Sequence, residues 1–207
     1  MNSFSMFKKI SALLLSVLMV LSLCSCSKGA VYQTQRLKIV SGDTTSITYN
    51  YTYTADNKPA IITANFVGAL DEDYTDVFGY NDKGEIVSYS RKYVTSIEEN
   101  YTAEKITDNK YIFKDKNGNE YLTIIFDETG FIVSRRYTDG YVTEYAYSYD
   151  KNGKPTAFKQ LDITPSGSNR VLDFEISFTD KNSCRMTPVG ENAIEDVYYE
   201  ATFNIIE

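Results

Sequence analysis

Four acidic side chains fall close together in one segment of the chain: Asp71, Glu72, Asp73 and Asp76. Hard cations such as calcium bind several carboxylate and carbonyl oxygens of a flexible loop. Asp71, Asp73 and Asp76 are therefore candidate metal ligands, and calcium is the candidate cation. Their spacing differs from that of an EF-hand loop. The alternative interpretation is a solvated acidic loop, which we favour.

Other carboxylates could support acid–base chemistry. Glycoside hydrolysis needs only two carboxyl groups at the right separation, and Glu98, Glu99 and Glu200 are candidates for it. The chain has no histidine, which removes Ser-His-Asp and Cys-His catalysis and histidine-ligated zinc or haem. We assign no catalytic residue and predict a non-catalytic protein, with a carboxylate-dependent glycan-processing enzyme as the alternative.

Tyrosines recur at alternate positions in two segments, and they are the candidate binding residues. They are Tyr49, Tyr51 and Tyr53 in the first segment, and Tyr145, Tyr147 and Tyr149 in the second. Alternate side chains of a strand line one sheet face, so each set forms an aromatic stripe. A stripe could stack sugar rings or a partner's apolar side chains, or it could pack the sheet against neighbouring strands. We favour packing, and the lack of tryptophan weakens the sugar interpretation further.

The elements that position these residues are predicted to be strands. Aromatic and β-branched residues alternate with polar ones along most of the chain, a period typical of half-buried strands. The predicted strands are 37–40, 46–54, 60–67, 75–81, 85–94, 110–114, 120–127, 131–137, 141–149, 155–163, 171–179, 184–188 and 197–205. After residue 30 we find no helical period apart from one turn near 70–76.

Short polar clusters separate the predicted strands. They are Asp82-Lys-Gly84, Lys116-Asn-Gly118, Glu128-Thr-Gly130, Lys151-Asn-Gly153 and Asp180-Lys-Asn182. Asn and Asp tolerate left-handed backbone and bond their own main chain, and Gly adopts positive φ without steric cost. Each cluster therefore predicts a hairpin reversal.

Several hairpins share one pattern, in which an aromatic and a polar residue precede two variable residues and a glycine, with an apolar residue two positions later. The segments are Tyr80–Ile86, Phe126–Ile132 and Tyr149–Pro155. Gly130 and Gly153 are 23 residues apart, and Gly84 and Gly130 are 46 apart. The second spacing is twice the first, which indicates a repeat of one hairpin per unit.

The stretch from Phe126 to Pro155 resembles the YD repeat of RHS proteins and teneurins, with Tyr149-Asp150 before the next glycine. The resemblance implies hairpins that follow one another in a coiling sheet. In that family the sheet encloses a cargo, and this chain is too short to close such a shell. No functional residue carries over, because Tyr149, Asp150 and Gly153 match positions that shape the turn.

We therefore predict an all-β fold, an antiparallel meander of consecutive hairpins that forms a curled open sheet or half-barrel after an N-terminal signal helix. A sheet must bury one face on itself or on a second layer, and a long twisted sheet curls. Its open edges would need protection. Lys38, Asp43 and Glu207, in the terminal segments, could supply it.

The N-terminal segment has the parts of an export signal. Lys8 and Lys9 precede an apolar core at 10–23, which is shorter than the roughly 20 residues that a membrane-spanning helix needs. We therefore predict a signal peptide at 1–25, and no permanent membrane span.

The box that closes this segment is Leu23-Cys24-Ser25-Cys26. It resembles the cleavage box of bacterial lipoproteins, in which the cysteine after a small residue is lipidated and becomes the mature N-terminus. Cys26 follows Ser25, whereas Cys24 follows Leu23, so we predict lipidation at Cys26. The alternative is an ordinary secretory signal cut near Ser27.

This resemblance implies a covalent diacylglycerol, with palmitate among its acyl chains, at Cys26. Each acyl CH₂ buried in lipid contributes about 0.8 kcal/mol, and two chains anchor a protein stably. The implied location is extracytoplasmic, with the protein tethered to the bacterial cell membrane. We predict a lipidated cysteine and leash at 26–36 and one all-β domain at 37–207.

Composition narrows the range of partners. The net charge is −7, and removing Lys8 and Lys9 with the signal makes it −9. Nucleic-acid binding requires clustered Lys and Arg, so we predict none. Cys184 is the cysteine left after the box, and it has no histidine to activate it; we interpret it as a structural strand residue.

The sequence thus predicts a surface lipoprotein that presents a sheet to an unknown glycan or protein partner. A glycan-processing enzyme and a carrier of an apolar ligand are the alternatives. A binding module predicts exposed aromatic groups without converging carboxylates. An enzyme predicts paired acids in a cleft, and a carrier predicts an apolar cavity.

Overall fold

The computed structural model describes residues 30–68, 72–96, 98–194 and 196–206. The predicted signal peptide, Cys26, Asp71 and Glu207 lie outside these ranges. Within the ranges the regular structure consists of β-strands. A search of the same residues for a helix long and apolar enough to cross a membrane finds none.

The described residues form 14 strands. They are β1 Val31–Ser41, β2 Thr45–Tyr53, β3 Pro59–Val67, β4 Tyr74–Tyr80, β5 Ile86–Tyr93, β6 Glu99–Thr107, β7 Lys110–Lys114, β8 Glu120–Phe126, β9 Ile132–Tyr137, β10 Val142–Tyr149, β11 Pro155–Ile163, β12 Asn169–Phe178, β13 Ser183–Val189 and β14 Val197–Ile206.

Each strand pairs antiparallel with its neighbours in sequence, which confirms the predicted all-β meander of hairpins. The curl goes further than the expected open sheet or half-barrel. β1 pairs with β14 from Val31 opposite Ile206 to Ser41 opposite Val197, and the sheet closes into a barrel. Closure pairs the backbone groups that an open edge would expose. Lys38 therefore protects no edge, because it lies between Glu200 and Thr48.

The first strand begins earlier than predicted. Residues 31–36, expected in the leash, form the first half of β1. Tyr32 packs its ring edge-on against Phe178 and Phe203, and Gln33 is buried. These contacts join residues far apart in the chain, so local sequence did not reveal them.

The strand β6 was not predicted at all. Most of its side chains are exposed on both faces, and only Tyr101 and Ala103 pack against the core. The period-2 signal needs one buried face, and β6 does not provide one.

Four hairpin turns share one geometry, which confirms the predicted reversals there. In the turn after β8, Asp127 Oδ1 accepts the N–H groups of Thr129 and Phe131 at 2.8 and 2.9 Å. Gly130 follows with φ of +79°. The turns that begin at Asn81, Asp115 and Asp150 repeat this arrangement.

Antiparallel pairing gives the barrel two distinct ends. Ala30 and the turns that follow even-numbered strands lie at one end, which we call the proximal end. The turns that follow odd-numbered strands lie at the other, the distal end. Gly153, in the turn after β10, packs directly on the carbonyl of Ala30.

The interior of the barrel is packed with side chains. Its buried cluster is rich in aromatic residues, such as Phe113, Phe158 and Phe203, and each fully buried large apolar side chain contributes about 1.5–3 kcal/mol. Opposite walls also meet near the proximal end. There Gln33 Nε2 donates to the carbonyl oxygen of Thr129 at 3.0 Å and to that of Asn57 at 3.2 Å.

Candidate functional site

The two predicted tyrosine stripes point into the barrel. Tyr49, Tyr51 and Tyr53 lie on β2, and Tyr145, Tyr147 and Tyr149 lie on β10. The ring of Phe131 joins the stripes, because its centroid is 5.7 Å from that of Tyr51 and 5.6 Å from that of Tyr147. The stripes pack the core and form no outer platform for a sugar or a partner.

Burial determines the protonation state of two of these phenols. It raises the pKa of Tyr51 and of Tyr145, so both remain protonated. Tyr53 donates its hydroxyl proton to the carbonyl oxygen of Thr34 at 2.5 Å. Tyr51 is buried, whereas Tyr149, at the proximal end, is 40% exposed. The other four tyrosines are half-buried.

The described carboxylates of the acidic segment, Glu72, Asp73 and Asp76, have separate partners. Asp73 accepts the N–H of Phe66 at 2.7 Å, and this bond holds the pKa of Asp73 below its usual range. Glu72 accepts the N–H of Thr95. Asp76 points the other way, into the barrel, where it is fully buried. Asp73 and Asp76 therefore point to opposite faces of the sheet. Asp71, the third predicted ligand, lies outside the described residues, among which no group of three or more acidic or cysteine side chains is placed to hold a metal ion.

Asp76 is instead bound by two cations and a phenol. Arg91 donates from Nε to Oδ1 at 2.7 Å and from Nη2 to Oδ2 at 2.9 Å. Tyr89 donates its hydroxyl proton to Oδ1 at 2.8 Å. A two-point fork of this kind is the strongest carboxylate contact that a side chain makes. Arg135 Nη2 lies 3.6 Å from Oδ2 and completes the cluster.

Tyrosines surround both guanidinium groups. The Arg91 guanidinium lies 4.1 Å from the centroid of the Tyr74 ring, and its Nη1 donates to the Tyr137 hydroxyl at 3.3 Å. Arg135 Nη1 donates to the Tyr74 hydroxyl at 3.3 Å. Burial, the largest single effect, acts to lower the pKa of Arg91, but hydrogen bonding to Asp76 and the electrostatic effects of Asp76 and the neighbouring tyrosines together outweigh it and raise that pKa. Both arginines stay charged, so two cations share one carboxylate.

A recess of about 350 Å³ opens over this cluster at the distal end, and we call it the distal recess. It is lined by Arg91 and Tyr93 from the end of β5, Tyr121 from the start of β8, and Tyr137 with residues 138, 139 and 141 from the end of β9. Polar groups thus line a concavity open to solvent.

A β-bulge aims Tyr121 into the recess. Phe113 pairs with Leu122 but Lys114 pairs with Glu120, so Tyr121 is an extra residue in β8. Bulges re-aim side chains in this way. The Tyr121 ring stacks on that of Tyr101, with centroids 4.4 Å apart and planes within 9°.

The recess is equipped for binding. Asp139 is the one carboxylate among the described residues that line it, and its Oδ1 accepts the N–H of Tyr141 at 3.1 Å to shape the turn. A guanidinium with phenol rings can hold an anionic group and stack a ring beside it. Paired acids, the signature of the glycosidase alternative, do not converge there.

The other sequence candidates lie elsewhere. Glu99 accepts the hydroxyl proton of Tyr101 at 3.0 Å on β6. Glu200 faces outward on β14, with five strands between it and β6 on the shorter way round the barrel. Glu98 is exposed beside β6. Cys184 is buried, and burial raises the pKa of its thiol to about 11, which suits the structural interpretation.

Arg91 and Arg135 were not among the residues predicted from the sequence. The signal was present, because Arg91 is in phase with Tyr89 and Arg135 is in phase with Tyr137. Alternate residues share a face, so each arginine falls on an aromatic, inward face. A charge in such a position marks a buried polar cluster.

Fold and site together define a closed antiparallel β-barrel with a cationic, tyrosine-lined recess at one end. No family model matches the chain, and no curated protein matches it. Among solved structures it is similar to a porin-like protein from Bacteroides uniformis, with 14% identity and a TM-score of 0.37. The match covers 83% of this chain and 60% of that one.

Proposed function

We propose that the protein is an extracytoplasmic lipoprotein, tethered through Cys26, that binds a ligand in the distal recess without chemical conversion. The observation that carries the proposal is the position of Arg91 at the base of a tyrosine-lined recess. A concave site with a few convergent polar groups is the usual form of a small-ligand site.

The ends of the barrel support the tether. Ala30 lies at the proximal end, against Gly153, and the distal recess lies at the opposite end. An anchor four residues before Ala30 would hold the proximal end near the membrane. The recess would then face away from the lipid, toward ligands outside the cell.

The alternatives find less support in the geometry. A carrier of an apolar ligand would need an apolar cavity, whereas arginine and tyrosine hydroxyls line the distal recess. A glycan-processing enzyme would need two carboxyl groups at a defined separation, and Asp139 lines the recess without a carboxylate partner among the described residues there.

A glycan array tests the proposal. The full chain, purified in detergent, is applied as wild type, as Tyr121→Ala and as Tyr198→Ala. Tyr198 is the matched control, because it faces outward and stacks under the Arg185 guanidinium at 3.6 Å. We expect glycan binding that Tyr121→Ala removes and Tyr198→Ala retains. Binding that survives Tyr121→Ala would place the ligand elsewhere and contradict the proposal.

A further inference from the structure

The charge balance of the inner cluster points to the chemical class of the ligand. Two guanidinium groups, those of Arg91 and Arg135, face the single carboxylate of Asp76. The side chains of the three residues are 6%, 13% and 1% exposed, respectively. Buried charges in proteins are normally paired, so one positive charge here lacks its counterpart.

Among the described residues, Asp76 is the carboxylate that makes ion pairs with Arg91 and Arg135. Burial raises the pKa of Tyr74 and that of Tyr89, so both are neutral phenols. Asp139, the one carboxylate among the described residues that line the recess, is exposed and accepts the N–H of Tyr141. Glu99 is also exposed and accepts the Tyr101 hydroxyl proton. A ligand entering the distal recess could supply the missing negative charge.

Arg91 has hydrogen-bond donors left to bind an anionic group of a ligand. A guanidinium carries five N–H groups, and three of those on Arg91 reach Asp76 or Tyr137. The remaining N–H groups belong to Nη1 and Nη2. Arg91 itself lines the recess, and a carboxylate fits this fork in two-point geometry.

Tyrosines define what accompanies the anion. Tyr93, Tyr121 and Tyr137 line the recess, and Tyr141 on its rim is 52% exposed. Phenol rings stack flat ring systems and their hydroxyls hydrogen-bond to polar substituents. The volume of about 350 Å³ lies at the lower end of the range for small-ligand sites. These features suit one end of a sugar chain.

We infer that the distal recess binds a saccharide through a carboxylate on its terminal sugar, a uronic-acid type of ligand, with Arg91 as the anion-binding residue. The inference rests on the proposed function, because it names the ligand of the same recess. A carboxylate carries one negative charge and balances the cluster. A phosphate monoester carries a charge of about −1.5 to −2, which exceeds the one positive charge to be balanced.

Three probes test the inference on the full-length protein in detergent by isothermal titration calorimetry. They are a trigalacturonate, the matched neutral galactose trisaccharide, and glucose 6-phosphate. We expect the trigalacturonate to bind at least tenfold more tightly than the neutral trisaccharide and more tightly than the phosphate. Equal binding of the two trisaccharides would overturn the inference that the recess recognises a carboxylate. Tighter binding of glucose 6-phosphate would overturn it too. Either result would leave the proposed function standing.

Variants locate the anion. Arg91→Gln removes the guanidinium that lines the recess and leaves Arg135 as the cation for Asp76, so the cluster becomes neutral. We expect it to abolish the preference for trigalacturonate, and Arg185→Gln, at an outward arginine, to leave it unchanged. Retained preference in Arg91→Gln would overturn the assignment.

A measurement on the wild type covers the case in which Arg91→Gln does not fold. The ¹⁵Nε–H signal of Arg91 should shift on titration with trigalacturonate and stay fixed with the neutral trisaccharide. An unmoved signal at saturating trigalacturonate would overturn the role of Arg91. If the glycan array is also blank for folded protein, the proposed function fails together with the inference.

Discussion

Arg91 binds Asp76 at two points inside the barrel, from Nε to Oδ1 at 2.7 Å and from Nη2 to Oδ2 at 2.9 Å. The pair joins β4 to β5, and Arg135 on β9 approaches the same carboxylate across the interior. This cluster forms the base of the distal recess, so the side chains that join the strands are also those that the proposed ligand would meet.

Asp76→Asn should destabilise the protein strongly. The substitution keeps the shape of the side chain but leaves Arg91 and Arg135 buried without a counter-charge, a change that costs about 3–5 kcal/mol. The free energy of unfolding in urea measures it. Asp73→Asn is the matched control, because Asp73 belongs to the same segment but is not buried, and an amide oxygen can still accept the N–H of Phe66, so we expect a much smaller loss of stability. Equal effects of the two variants would contradict the role given to Asp76.

Asp127 should make stability depend on pH. Burial raises the pKa of this turn carboxyl from 3.8 to about 6. Because the folded pKa lies above the unfolded one, the group favours folding most below pH about 4. That contribution declines as the pH rises through about 6, by up to about 3 kcal/mol. Asp127→Asn should remove the decline, as read from unfolding free energies between pH 4 and 7.

Asp115 is the control for that pH effect, because it occupies the position of Asp127 in a turn of the same geometry that is exposed. Hydrogen bonds from Asn119 hold its pKa below the usual value. Its contribution to stability is therefore present at neutral pH and is lost as the pH falls toward 3. This pH dependence is the opposite of the one expected for Asp127. A difference between wild type and Asp127→Asn that stays constant from pH 4 to 7 would refute the assignment.

Gly130→Ala should cost more than Gly118→Ala. Both glycines have positive φ, +79° and +82°, so each substitution incurs about 1 kcal/mol from backbone conformation. A Cβ on Gly130 would also lie 3.0 Å from the Asn57 oxygen, whereas Gly118 has open space around it. We expect a further 1–3 kcal/mol or so for the crowding at Gly130, measured by urea unfolding. Equal losses would show that the β8–β9 turn does not press on the opposite wall.

Cys26→Ala should release the protein from membranes, because the variant has no thiol at the predicted lipidation position. Sedimentation of the membrane fraction and incorporation of labelled palmitate measure this. Cys184→Ala is the control, since Cys184 is buried in β13 and should not affect the anchor. Palmitate incorporation that persists in Cys26→Ala would show that the lipidated cysteine lies at another position.

Local patterns in the sequence determined most of the strands and their reversals. Alternating apolar residues predicted β14, and Asp127 with Gly130 predicted the turn after β8, because strand pleating and turn chemistry depend on residues a few positions apart. The absence of histidine also limits the chemistry open to the chain, whichever fold it adopts.

Tertiary structure decided the closure and the site. The pairing of Val31 with Ile206 joins the two ends of the barrel sequence, and no local pattern encodes it. The direction in which Asp76 points was equally hidden, because a carboxylate in an acidic segment looks solvated until the arginines of β5 and β9 are brought beside it. Sequence specifies which residues alternate, whereas the folded barrel specifies which face is inside and what each buried charge meets there.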